Sequence, residues 1–199
     1  MSNQNIKHSY SRESVRLRGW DYGSSAIYFV TICTGDRSHY FGKIQDGIMH
    51  LSEIGVVAND EWFKSPKIRP DMNLKLGKFV VMPNHIRGIV IIGKNQYNQY
   101  HGNIRRVATH CDPTPIMMPS SYANQFGPQR KNLASIIRGY KSIVTKSARR
   151  INPDFTWQSR YYDHVIRNPE SEDRINRYIR NNIENWINDR FSKPYDHGL

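Results

Sequence analysis

Cysteine is scarce: the 199-residue chain has two, Cys33 and Cys111, too few and too far apart for a disulfide framework or a zinc knuckle. Both are expected to be reduced thiols. The histidines, at positions 8, 39, 50, 85, 101, 110, 164 and 197, never fall at the spacing that sets two zinc ligands on one helical turn, which argues against structural zinc. No apolar run approaches the roughly 20 residues of a spanning helix, and the N-terminus lacks an apolar signal core. The expectation is a cytoplasmic protein with no membrane contact. Internal repeats are missing too. Acidic side chains are also short in number, 17 against 29 Lys and Arg for a formal charge of +12, which favours a polyanionic partner, nucleic acid first.

The length suits a single domain with a real core. Residues 1–23 form a polar, basic extension, and the domain is expected over 24–190 with 191–199 as a tail. Ala26 to Thr34 is β-branched and aromatic, short enough for a buried strand. Asp46-Gly47 marks a hairpin turn between two short apolar runs. Ser52 suits the N-cap of a helix that Pro66 should stop. Residues 74–82 and 85–92 read as strands broken at Pro83-Asn84. The 94–130 stretch is rich in Asn, Gln, Gly, Pro and Ser, a polar insertion or mobile loop. Asn132 to Arg150 resumes helical periodicity, with Arg138, Lys141, Lys146, Arg149 and Arg150 off the apolar stripe, either a solvated face or phosphate contacts. A short strand at 162–167 precedes a last helix expected from Pro169 to Asn188. The order predicts an α+β fold, an antiparallel sheet with helices packed on one side.

One segment stands apart. In the strand beginning at His85, alternate side chains share a face, so His85 and Arg87 point the same way out of an otherwise apolar run. They are either solvated strand-end residues or part of an active site. On the last helix Tyr178 and Asn182 lie four apart and share a face. A tyrosine can attack a phosphodiester and conserve its bond energy as a phosphotyrosine; with twelve tyrosines in the chain, spacing alone does not single out Tyr178. Asn182 equally suits a helix-end cap.

Five blocks in order, YFVTICT at 28–34, FVVMPNHI at 79–86, LASIIRGYKS at 133–142, WQSRYYDHVIRN at 157–168 and RYIRNN at 177–182, resemble the HUH single-tyrosine transposases, especially the REP-associated tyrosine transposases. The resemblance runs from about residue 24 to 188 and skips the 94–130 insertion. It implies a ferredoxin-like (RRM-like) palm with a C-terminal helix carrying the nucleophile. By the same resemblance, Tyr178 attacks single-stranded DNA near a hairpin to give a 5′-phosphotyrosine adduct and a free 3′-hydroxyl. His85 and Asn182 are then ligands of Mg²⁺ or Mn²⁺. DNA as the partner implies association with the nucleoid, and the wider family implies homodimers.

The chain departs from the pattern at one position: the second histidine of the family's pair falls on Arg87. A guanidinium has no lone pair and stays protonated. Three readings remain open. Metal binds through His85 and Asn182 with help from Asp163 or His164; Arg87 grips the scissile phosphate in place of metal; or cleavage is lost and hairpin binding survives. An RNA-binding module is a further alternative, because Tyr28 and Phe29 on a ferredoxin-like sheet could stack bases.

Overall fold

A computed structural model describes residues 17, 20–99, 130–189 and 191–192. Its centre is β1 (Ala26–Cys33), which reads as a continuous apolar run because both of its faces are buried. To one side it pairs antiparallel with β5 (His85–Ile92), which in turn pairs with β4 (Leu74–Met82). To the other side it pairs antiparallel with β6 (Tyr162–Ile166), giving the order β4-β5-β1-β6. The α+β class and the antiparallel sheet are as the sequence predicts.

Side-chain alternation then sorts the sheet into two faces. Tyr28, Val30 and Ile32 join Ile86 and Val90 against α1 (Glu53–Ile68) and α2 (Leu133–Ile151), whose Trp62, Ile136, Tyr140 and Val144 complete the larger core. Gly88 lets α1 approach, since a Cβ there would stand 2.5 Å from Trp62 Cζ2. The opposite face carries Phe29, Ile89 and Ile166 against Ile175 and Ile179 of α3 (Pro169–Arg180). Two helices thus cover one side, while the C-terminal helix crosses the other.

Local signals explain the boundaries. Asp46 and Gly47, at φ 53° and 72°, make the two-residue turn between β2 (Gly42–Gln45) and β3 (Ile48–Leu51), a separate two-stranded ribbon. Ser52 caps α1 by accepting from the Gly55 amide at 3.0 Å, as expected. Pro66 does not stop that helix. The helix continues to Ile68, because Pro66 still offers a carbonyl that the Arg69 amide closes on at 3.2 Å.

The last helix is shorter than predicted, ending at Arg180 rather than Asn188, with a 3₁₀ turn at Trp186–Asn188 beyond it. Asparagine side chains compete for backbone groups and so favour helix ends over interiors. Here Asn182 Nδ2 donates to the Tyr178 carbonyl at 2.9 Å and Asn185 Nδ2 to that of Asn181 at 2.9 Å. Of the 94–130 stretch, residues 94–99 and 130 are described: Asn95 is buried and donates to the Met72 and Gly93 carbonyls, and the remainder lies outside the described residues. Within the N-terminal extension, Trp20 Nε1 donates to the Tyr28 hydroxyl at 3.2 Å, so part of it belongs to the core. No helix among the described residues is long and apolar enough to cross a membrane.

Candidate nucleic-acid interface

The turn between β4 and β5 sets the site. Asn84, 1% exposed, donates through Nδ2 to the carbonyls of Arg37 at 2.9 Å and Phe191 at 2.7 Å. That fixes the amide orientation and points its Oδ1 at His85 Nδ1, 2.9 Å away. His85 Nδ1 therefore donates to that oxygen. The imidazole is fully buried, with the rings of Phe191 at 4.7 Å and Trp186 at 6.0 Å. Phe191, beyond the domain boundary expected at 190, is part of this site. His39 packs edge-on to Trp186 at 5.7 Å, and burial lowers its pKa below the usual histidine value.

Arg87 does share a face with His85, but in the interior: it is 2% exposed. Its Nη1 donates to Asn182 Oδ1 and pairs with Asp189 Oδ2 at 2.8 Å, and its guanidinium lies 4.8 Å from the Tyr178 ring centroid. The strand cation, the helix tyrosine and the asparagine therefore converge. Asn182 serves twice, closing the end of α3 through Nδ2 and receiving Arg87 through Oδ1.

Tyr178 is 46% exposed and stands edge-on to Phe29 at 6.1 Å. It borders an open cleft of about 650 Å³ lined by Arg87, Arg174, Arg177, Asn181, Asn182 and Asp189 among others. The charge of α3 is polarised: Glu170 and Glu172 occupy the first turn, where they complement the helix dipole, and the basic residues Arg177 and Arg180 occupy the last. The cleft thus offers cations and amides around one carboxylate, a lining suited to an anion.

The other candidate residues lie elsewhere. Arg138, Lys146, Arg149 and Arg150 are exposed on α2, across the sheet from Tyr178. Lys141 does not reach outward; its ammonium donates to the Gln158 carbonyl at 2.7 Å and the Arg160 carbonyl at 3.3 Å, and burial pushes its pKa down to about 8. Asp163 sits opposite Val30 and so faces α1 and α2, on the side of Tyr28, whose pKa is raised by burial first and by the Asp163 charge last. It is not beside His85. His164 is on the Tyr178 face but opposite Phe29, whereas His85 is opposite Cys33. Four residues of β1 separate those positions, roughly 13 Å, so His164 cannot share an ion with His85.

The residues present do not fit a divalent ion beside Asn182. Asn182 Oδ1 and Asp189 Oδ2 are engaged by Arg87, and Asp189 Oδ1 accepts from the Phe191 amide. A doubly charged ion about 4 Å from that guanidinium would be opposed by about 8 kcal/mol at an effective dielectric constant of about 20. Among the described residues no group of three His, Cys, Asp or Glu side chains is arranged to hold a metal.

Sequence reasoning missed Arg174, Arg177, Asp189, Trp186 and Phe191. Arg174 is legible, since it lies one helical turn before Tyr178; Arg177 is adjacent to Tyr178 in sequence, where helical spacing sets no shared face. Asp189, Trp186 and Phe191 follow the helix end, where no periodicity reports which way a side chain points.

No family model matches the chain. An uncharacterized protein of Haemophilus influenzae (strain ATCC 51907 / DSM 11121 / KW20 / Rd) is 33% identical over 189 residues, covering 94% of this chain and 95% of that protein. Among solved structures, a REP-associated tyrosine transposase bound to a REP hairpin superposes with a TM-score of 0.52 at 16% identity, over 84% of this chain and 72% of that one. The chain belongs to the family of the Haemophilus influenzae protein, and its fold is that of the tyrosine transposases.

Proposed function

We propose that this protein binds single-stranded DNA beside a hairpin in the arginine-lined cleft, and that Tyr178 is the nucleophile of a transposase-type cleavage and rejoining reaction. The observation that carries this reading is the meeting of Tyr178, Arg87 and Asn182, from a helix, a strand and a turn, at one cleft rimmed by Arg174 and Arg177. The shared fold with a transposase bound to a DNA hairpin supports it.

In this reading the phosphodiester enters between Arg87 and the two arginines of α3. Arg87 already holds a carboxylate, and a phosphate offers the same fork of oxygens with comparable charge, so DNA competes with Asp189 for it. Tyr178 Oη attacks phosphorus, the bond from phosphorus to the 3′ oxygen breaks, and a 5′-phosphotyrosine forms. The phenolic proton leaves to solvent and the departing 3′ oxygen takes one from it. The fixed charge of Arg87 stabilises the non-bridging oxygens as charge develops on them. Attack of a 3′-hydroxyl on the phosphotyrosine reverses the step and rejoins a strand.

A second reading, hairpin binding without cleavage, is favoured by one observation: Arg87 Nη1 is already bound to Asn182 and Asp189. One experiment separates the two. The protein is incubated with hairpin DNA carrying a single-stranded flank, with Mg²⁺, Mn²⁺ or EDTA, and resolved on a denaturing gel. A covalent protein–DNA band that disappears in Tyr178→Phe supports cleavage; binding with no band under any condition leaves the binding-only reading. Failure to bind DNA at all would remove both.

A further inference from the structure

The face that carries Arg87 extends beyond the cleft. Val80, Arg87, Thr31 and Tyr162 form one row across β4, β5, β1 and β6, each directly opposite the next. Tyr162 ends that row on β6, an edge strand of the four-stranded sheet. Its ring is edge-on to Phe29 at 6.4 Å, and Tyr178 is edge-on to the same Phe29 at 6.1 Å. Both tyrosines stay open to solvent, at 40% and 46%, while Phe29 between them is 7% exposed. A buried ring therefore props two exposed ones on the sheet face beside the arginine cleft.

Tyr162 contributes little to the core at that exposure, and among the described residues its hydroxyl has no hydrogen-bond partner. We propose that Tyr162 is a stacking platform for an unpaired base of the DNA strand whose phosphate lies at Arg87, Arg174 and Arg177. This rests on the DNA-binding reading above and adds to it a base subsite with its own residue. Two strand spacings, roughly 10 Å, separate the Arg87 and Tyr162 positions in the row, and Thr31 between them is buried, so a strand running from the phosphate cleft over the exposed Tyr178 to the sheet edge would lay a neighbouring nucleotide over the ring. The occupant is single-stranded, because a paired base hides both of its faces in the duplex stack, whereas an unpaired one stacks on an aromatic ring regardless of sequence. It is polyanionic, because the adjoining cleft is lined by Arg87, Arg174 and Arg177. The carboxylates of α3 nearest its start, Glu170 and Glu172, lie at the other end of the helix from Tyr178.

The test compares wild type, Tyr162→Phe and Tyr162→Ile by fluorescence anisotropy on a hairpin with a single-stranded flank and on the same hairpin without it. Tyr162→Ile should weaken binding of the flanked hairpin about 5- to 150-fold, the range of one base–aromatic stack. It should leave the bare hairpin unchanged, and Tyr162→Phe should bind like wild type. A 2-aminopurine walked along the flank should be quenched at one position by wild type and not by Tyr162→Ile. Should Tyr162→Ile fail to fold, the walk on wild type decides, and no quenched position overturns the subsite. Wild-type binding with an unaffected Tyr162→Ile overturns the subsite alone, whereas no wild-type binding to either DNA overturns it together with the DNA reading.

Discussion

Replacing Asp189 with asparagine removes the carboxylate paired with Arg87 while keeping the shape of the side chain. The two side chains are 3% and 10% exposed, so the variant leaves a buried guanidinium facing only neutral acceptors, Asn182 Oδ1 and the new amide oxygen. Breaking a buried pair by deleting one partner costs about 3–5 kcal/mol. Asp189 lines an open cleft, where water can partly solvate what is left, which places the expected loss just below that range, about 2–3 kcal/mol. For a chain of this size each kcal/mol shifts Tm by about 2–4 °C, so the melting temperature should fall by about 4–12 °C. Calorimetry on wild type, Asp189→Asn, Arg87→Met and the double variant measures both the loss and its origin. If the charge pair is responsible, the double variant should be more stable than the sum of the single losses by about 1–3 kcal/mol. A loss below about 0.5 kcal/mol in Asp189→Asn, or strict additivity in the cycle, would refute the assignment of Arg87 to a buried, charge-compensated role.

The same geometry predicts how metal responds to sequence. Arg87→His removes the fixed charge and sets an imidazole beside His85, Asn182 and Asp189, so Mn²⁺ should raise the Tm of the variant, by about 2.7 kcal/mol in stability at a hundred times Kd; equal stabilisation of wild type would contradict the misfit argued above. A pH series tests Lys141, whose folded pKa is lowered by burial to about 8. Between that value and the ordinary lysine pKa of about 10.4 the unfolded chain binds more protons than the folded one, so stability relative to Lys141→Met should rise with pH across this window. A difference in urea midpoint between wild type and Lys141→Met that stays constant or turns against wild type as pH rises would show that the ammonium is not desolvated.

The elements themselves were largely legible. Asp46-Gly47 announces its turn because two successive residues need positive φ, and the apolar run of β1 announces burial on both faces, each a local consequence of residue type. The interruption at Pro83-Asn84 was readable for the same reason. The length of the last helix was not, since Pro169 and the apolar spacing report where α3 starts, while at its end Asn182 turns back on the Tyr178 carbonyl and is held from a distant strand by Arg87.

The site divides along the same line. Strand alternation by itself put His85 and Arg87 on one face, and helical spacing put Tyr178 near Asn182; both follow from backbone periodicity and need no tertiary information. Which face that was, and what met it, was decided by packing. Crossing α3 over the sheet brings Tyr178 and Asn182 to Arg87, and the chain beyond the helix returns to supply Asp189, Trp186 and Phe191. The register of β6 turns Asp163 toward the opposite core and carries His164 away from His85. Residue types and periods are local properties written in the chain, whereas the neighbours that neutralise a buried guanidinium come from distant segments, and only the folded core brings them into contact.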